Sequence, residues 1–102
     1  MILYNVTCNV EQDIAEEWLN WMLAEHIPEV MQTGCFNDYR VARILNNQEG
    51  DTGINYSIQY SAESLERYDF YRNEFAPALQ KKTLERYGEK MLAFRTLLEV
   101  VK

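Results

Sequence analysis

The stretch "EEWLNWMLAEHIPEVMQTG", residues 16–34, holds both tryptophans, the only histidine and one of the two prolines of the 102-residue chain. Ile14, Trp18, Leu19, Met22, Leu23 and His26 recur at helical spacing, with Glu16, Glu17, Asn20 and Glu25 on the other side. That is the pattern of an amphipathic helix. Asp13 is the expected N-cap, because a short polar side chain can accept from the first free N–H groups. Pro28 lacks a donor and crowds the preceding turn, so the helix is expected to stop near His26 and a short second turn, 28–33, to restart at the proline. Gly34 then supplies the left-handed residue that closes the turn.

What flanks this helix sets the architecture. In the first ten residues Ile2, Tyr4, Val6, Cys8 and Val10 alternate with Leu3, Asn5, Thr7 and Asn9, a period of two that predicts a strand. After Gly34, "CFNDYRVARIL" (35–45) is rich in β-branched and aromatic residues and reads as a second strand. "NNQEGDTG" (46–53) is a polar loop, and "INYSIQY" (54–60) alternates cleanly as a third strand. Ser61 can cap the next helix, which carries Leu65, Tyr68, Phe75 and Leu79, kinks or restarts at Pro77 and ends at Gly88. "MLAFRTLLEVV" (91–101) is the last strand. The order β, α, β, β, α, β predicts an α+β, ferredoxin-like domain over residues 1–102, an antiparallel sheet with both helices on one face. Right-handed crossovers place the first and third strands at its centre.

A formal charge of −6, from 16 acidic and 10 basic residues, opposes attraction to phosphate backbones or anionic lipid. Neither nucleic acid nor membrane is an expected partner. Lys81, Lys82 and Arg86 in "LQKKTLER" sit beside Glu85 as a solvated helix face. The start of the chain has no basic region ahead of an apolar run, so it reads as neither a signal peptide nor a span, and the expected location is the cytoplasm. Cys8 and Cys35 match no CxxC motif and are expected as free, packed thiols.

The central strands have an apolar side, Tyr4, Val6 and Cys8 with Tyr56 and Ile58, and an opposite side of Asn5, Thr7 and Asn9 with Asn55, Ser57 and Gln59. The second side is polar yet uncharged, whereas solvated sheet faces accept lysine and glutamate freely and dry ones are aliphatic. Either it is an ordinary wet face with charges at the edges, or two copies pack sheet against sheet around a lumen. Arg43 shares a side of its strand with Tyr39, Val41 and Leu45, and Arg95 shares one with Glu99; alternation alone does not say which side either takes.

A tryptophan-containing helix ending in "EHIPEV", the following "GCF", a hairpin and a second helix with "FAPAL" resemble the dimeric α/β-barrel superfamily, which includes antibiotic-biosynthesis monooxygenase-type domains. More narrowly, "WMLAEHIPEVMQTGCF", "DYRVARIL", "NYSIQY" and "LAFRTLLEV" resemble an uncharacterised bacterial domain family, number 4286, a domain of unknown function. The resemblance spans nearly the whole chain. It implies a ferredoxin-like protomer and a homodimer with a pocket between helices and sheet. It implies no activity, because the superfamily mixes enzymes with regulators on one fold.

His26 is the one side chain whose ordinary titration lies near neutrality, so it is the candidate general base. Placed at the end of its helix, it could equally close the last carbonyls and meet the helix dipole. "HIPE" with Glu25 and Glu29 lacks the paired histidines of a zinc or iron site, so no metal is expected. A haem would find its axial ligand in His26, but nothing else asks for one, and no cofactor is expected. Trp18, Trp21, Tyr4, Tyr56, Tyr60, Tyr68 and Phe75 make an aromatic interior; Trp21, at the margin of its stripe, could face a partner subunit. The expected ligand-binding set is Asn5, Thr7, Trp18, His26, Arg43, Gln59 and Arg95. Three functions follow: a small-molecule-binding homodimer, a cofactor-independent, monooxygenase-like enzyme with His26 as base, or a protein-interaction module without ligand. Whether the chain is an enzyme stays open.

Overall fold

Alternation at the start of the chain produces β1, Ile2–Val10, which pairs antiparallel with two neighbours. The computed structural model describes residues 1–46 and 52–102. The remaining strands are β2, Asp38–Arg43, β3, Ile54–Ala62, and β4, Met91–Glu99, and the sheet order is β2-β3-β1-β4. β1 and β3 are therefore central, as two right-handed crossovers demand. The fold is ferredoxin-like. Gly50 and Asp51, in the polar loop ahead of β3, lie outside the described residues.

The helix layer departs from expectation where it matters. α1, Ala15–Trp21, runs into a π-helical turn, Met22–His26, and on into α2, Ile27–Gln32, without a break at Pro28. In the widened turn the Ile27 N–H donates to the Met22 carbonyl, five residues back. The extra residue in that turn eases the crowding that a proline ring causes one turn back, and Pro28 takes an early position of α2, where its missing donor costs least. The buried residues Ala15, Trp18, Met22, Ile27 and Val30 show the shift: the step from Met22 to Ile27 is five, and Leu23, expected on the stripe, is 44% exposed.

Two caps also move. Ile14 precedes α1 with no side-chain cap, and Asp13 instead pairs with Lys90 at 3.3 Å, because a turn closed by the Ile14 and Ala15 N–H groups occupies the approach. Ser61 belongs to β3, opposite Leu3 and Asp38, so the cap of α3, Leu65–Glu74, is Ser64, whose hydroxyl accepts from the Arg67 N–H at 3.2 Å. Leu65, expected on the inner stripe, is exposed, and Tyr71 is buried beside Tyr68. Pro77 does restart the helix, as α4, Ala76–Tyr87, and Gly88 caps it with φ +57°. The "CFN" of the predicted second strand is a loop that turns Cys35 and Phe36 inward. Phe36 packs between Tyr4, Tyr60 and Tyr71, with ring centroids 4.8–6.0 Å apart.

All helices cover the face of Tyr4, Cys8, Val10, Tyr56 and Ile58, and the core lies between. Among the described residues no helix is long and apolar enough to cross a membrane. Gly53 sits at the entrance to β3 with φ +87°, and a Cβ there would meet the Val10 carbonyl oxygen at 2.5 Å. Gly53→Ala is expected to lower stability by about 1–3 kcal/mol, from strain and a clash with backbone. Urea denaturation checks this; an unchanged midpoint would mean the β1–β3 entrance relaxes freely.

Candidate functional site

Register settles the faces that alternation left open. Arg95 lies opposite Val6 and Ala93 opposite Cys8, so both project to the helix side of β4. Arg43 lies opposite Tyr56 on the outer strand, exposed. Between the helix layer and the β1–β4 half of the sheet is a cavity of about 280 Å³, lined by Tyr4, Val6, Cys8, Met22, Met91 and Tyr71, among others, and by the polar residues His26, Thr83 and Arg95, the last of them exposed. Its size is just below the roughly 300–1,000 Å³ usual for drug-sized ligands.

The π-helical turn aims His26 here. Because the helix continues to Gln32, His26 closes no helix end, and the dipole role expected from the sequence does not apply. Its ring stacks on Trp21 at 5.6 Å and 28°, and Trp21 meets Tyr87 edge-on beneath the Arg86 guanidinium. Trp21 is half-buried against these rings. The Thr83 hydroxyl donates to the Leu79 carbonyl and stands 3.3 Å from His26 Nδ1. Its oxygen can then accept from Nδ1–H, in the tautomer that leaves the Nε2 lone pair free. Burial drives the His26 pKa down to about 4; Glu29 opposes, while Arg95 and Lys82 add to the fall. The imidazole is neutral.

Across the cavity Arg95 Nε donates to the Tyr4 hydroxyl at 3.1 Å. Burial raises the pKa values of Tyr4, Tyr60 and Tyr71, so these phenols stay protonated, and it pushes the Cys8 thiol up to about 12, which makes it an inert wall. The four described ion pairs, Arg72–Asp69, Lys82–Glu29, Arg86–Glu17 and Lys90–Asp13, all lie on the outer surface of the helices and the turn after them. Arg95 has no carboxylate partner among the described residues.

The seven expected site residues therefore separate. His26 and Arg95 meet at the cavity. Trp18 is beneath it in the core, its Nε1–H directed at Met91 Sδ and its ring 5.3 Å from Tyr56. Arg43 lies apart. Asn5, Thr7 and Gln59 face the other way, on the open side of the sheet. There Asn5 Nδ2 donates to Thr7 Oγ1 at 3.0 Å and Asn5 Oδ1 accepts from Ser57 Oγ at 2.6 Å, while Asn9 Nδ2 donates to Asn55 Oδ1 at 2.8 Å. Sequence reasoning missed Thr83 and Tyr71. Tyr71 stands three residues after Tyr68, on the same face of α3; Thr83, four after Leu79, reads as an ordinary helix residue. No group of three or more His, Cys, Asp or Glu positioned to hold a metal occurs among the described residues.

An EthD (ethyl tert-butyl ether D) family protein from Bacillus halodurans C-125 superposes with a TM-score of 0.73 at 15% identity, over 99% of this chain and 100% of that one. A dimeric ferredoxin-like protein from an uncultured marine organism superposes at 0.60 with 10% identity, over 99% and 95% of the two chains. Both likenesses are of fold. No curated protein matches the chain. The model of the family described as Domain of unknown function (DUF4286) matches residues 1–101, and the chain belongs to that family.

Proposed function

We propose that this protein is a bacterial, cytoplasmic homodimer that binds a small organic molecule in the cavity between helices and sheet. The carrying observation is the convergence of a neutral imidazole, a guanidinium without a carboxylate and protonated phenols on one mostly apolar space. Few polar groups set into apolar walls are how small-molecule sites obtain both affinity and orientation. The free thiols Cys8 and Cys35 agree with a reducing compartment.

The homodimer reading rests on the open sheet face. Its central strands carry the hydrogen-bonded polar side chains, and its β4 edge presents Leu92, Phe94 and Leu98, with Phe94 63% exposed. A contiguous apolar strip beside a polar field marks an interface, and a second copy of the same face would meet it isologously. A 102-residue core gains from the added burial. Phe94→Glu is expected to weaken dimerisation about thirtyfold or more, the effect of losing an interface hot spot. Sedimentation equilibrium reads it, and a wild-type monomer at micromolar concentration would remove the dimer from the proposal. Native mass spectrometry of protein from its own host tests both halves: twice the protomer mass plus a small retained molecule is expected.

A second reading has one observation behind it, the neutral imidazole of His26 lining the cavity. A cofactor-independent enzyme would use it as base, with Arg95 stabilising an enolate or phenolate. A pKa near 4 makes the resting imidazole a weak base, and a bound anion would strengthen it. Turnover would require the ligand to tune its own catalyst.

A further inference from the structure

Resting on that reading of the cavity, we propose that its ligand is a small monocarboxylate with a compact, mostly apolar body, the carboxylate seated on the Arg95 guanidinium. The argument begins with charge. In a chain with 16 acidic residues to 10 basic, four cations are matched to acids on the helix layer and the turn after it, yet Arg95 is given a phenol instead. The Tyr4 hydroxyl engages Nε and fixes the plane of the fork. The two terminal nitrogens remain, and they present parallel N–H donors whose spacing matches the two oxygens of a carboxylate.

The surroundings select further. His26 is neutral and Lys82 is held by Glu29 at 2.9 Å, so among the described residues one unmatched cation serves the cavity. A dianion such as a phosphate monoester would carry a second charge into apolar walls without a second cation, which desolvation penalises. Tyr60 and Tyr71 are only 2% and 3% exposed, both line the cavity, and no hydrogen bond engages either hydroxyl among the described residues. Among the described residues no buried side-chain nitrogen or oxygen is sealed off without a partner, so these hydroxyls reach accessible space, and both residues line the cavity. They offer donors for a carbonyl or hydroxyl on the body of the ligand. Met22, Met91 and Ile58 supply the apolar contact.

The test uses matched probes on the full chain: phenylacetate, its neutral isostere phenylacetamide, and phenylphosphonate at a pH where it is a dianion. Binding is followed by NMR shifts of the His26 and Tyr71 signals. Phenylacetate is expected to bind about tenfold or more tighter than the amide, the usual value of a charge-assisted pair, and the phosphonate no better than the amide. Arg95→Gln should erase the acid–amide difference, and Arg95→Lys should restore part of it. Equal binding of acid and amide to the wild-type protein overturns the carboxylate while leaving the small-molecule site intact. Tightest binding of the phosphonate overturns the monoanion. If no probe moves either signal at millimolar concentration, the site and its ligand class fall together.

Discussion

Replacing Trp18 with alanine removes about 3–5 kcal/mol of stability, the range for a large aromatic cut out of a packed core. Trp18 is 0% exposed, its Nε1–H meets Met91 Sδ and its ring lies against Tyr56, so the change joins a cavity to a lost polar contact between α1 and β4. A domain of this length has about 5–15 kcal/mol in total, and the variant should melt near or below ambient temperature. Trp18→Phe keeps most of the volume and should cost less than half as much. Urea denaturation followed by circular dichroism measures both. The pair also separates two roles for this tryptophan. A ligand-contacting residue would lose affinity in the phenylalanine variant with little loss of stability; a core residue shows the reverse.

Sequence reasoning reached the fold because its signals were local and mutually consistent. Alternation in Ile2–Val10 and Ile54–Ala62, and glycines at 34 and 88, each admit one reading, and strand order then follows from the handedness of crossovers. It failed where two local rules competed. Pro28 argued for a break, but tertiary burial of both Met22 and Ile27 kept the helix running through a π-helical turn. The five-residue step between those apolar positions lies in the sequence, and a 3.6-residue template passes over it.

The site was half visible for a related reason. Residue type named His26 and Arg95, because an isolated histidine and a lone arginine among apolar neighbours stand out in any sequence. Which face an edge-strand residue takes is a matter of pairing register. Only the alignment of Arg95 with Val6 and of Asn5 with Gln59 divides the seven expected residues between cavity and open sheet. Thr83 and Tyr71 acquire meaning through contacts more than fifty residues away in sequence, with His26 and Tyr4. Periodicity cannot see such pairs.

The second large effect is a loss of stability in acid that belongs to His26. Burial holds its folded-state pKa at about 4, below the ordinary 6.5. Between those values the unfolded chain binds a proton that the folded protein refuses, so stability is complete above about pH 6.5 and falls as pH drops toward 4. The gap is worth up to about 3 kcal/mol by pH 4, with no further loss from this group below it. His26→Gln, which can still bond Thr83, should flatten that window at a cost of about 1 kcal/mol at neutral pH. Denaturation midpoints of both proteins from pH 7 to 4, with an NMR titration of the imidazole, decide the matter. A helix-end histidine would show the opposite sign, with a raised pKa and stability that grows in mild acid. Arg95 is one of two cations that depress the imidazole, so neutralising it with a bound carboxylate should move the midpoint upward. By reciprocity the ionised ligand binds more tightly to the protein whose imidazole is protonated, a gain that ends where acid neutralises the carboxylate itself. A midpoint indifferent to Arg95→Gln would break the link between the two cavity residues, and with it the view that they act on one ligand.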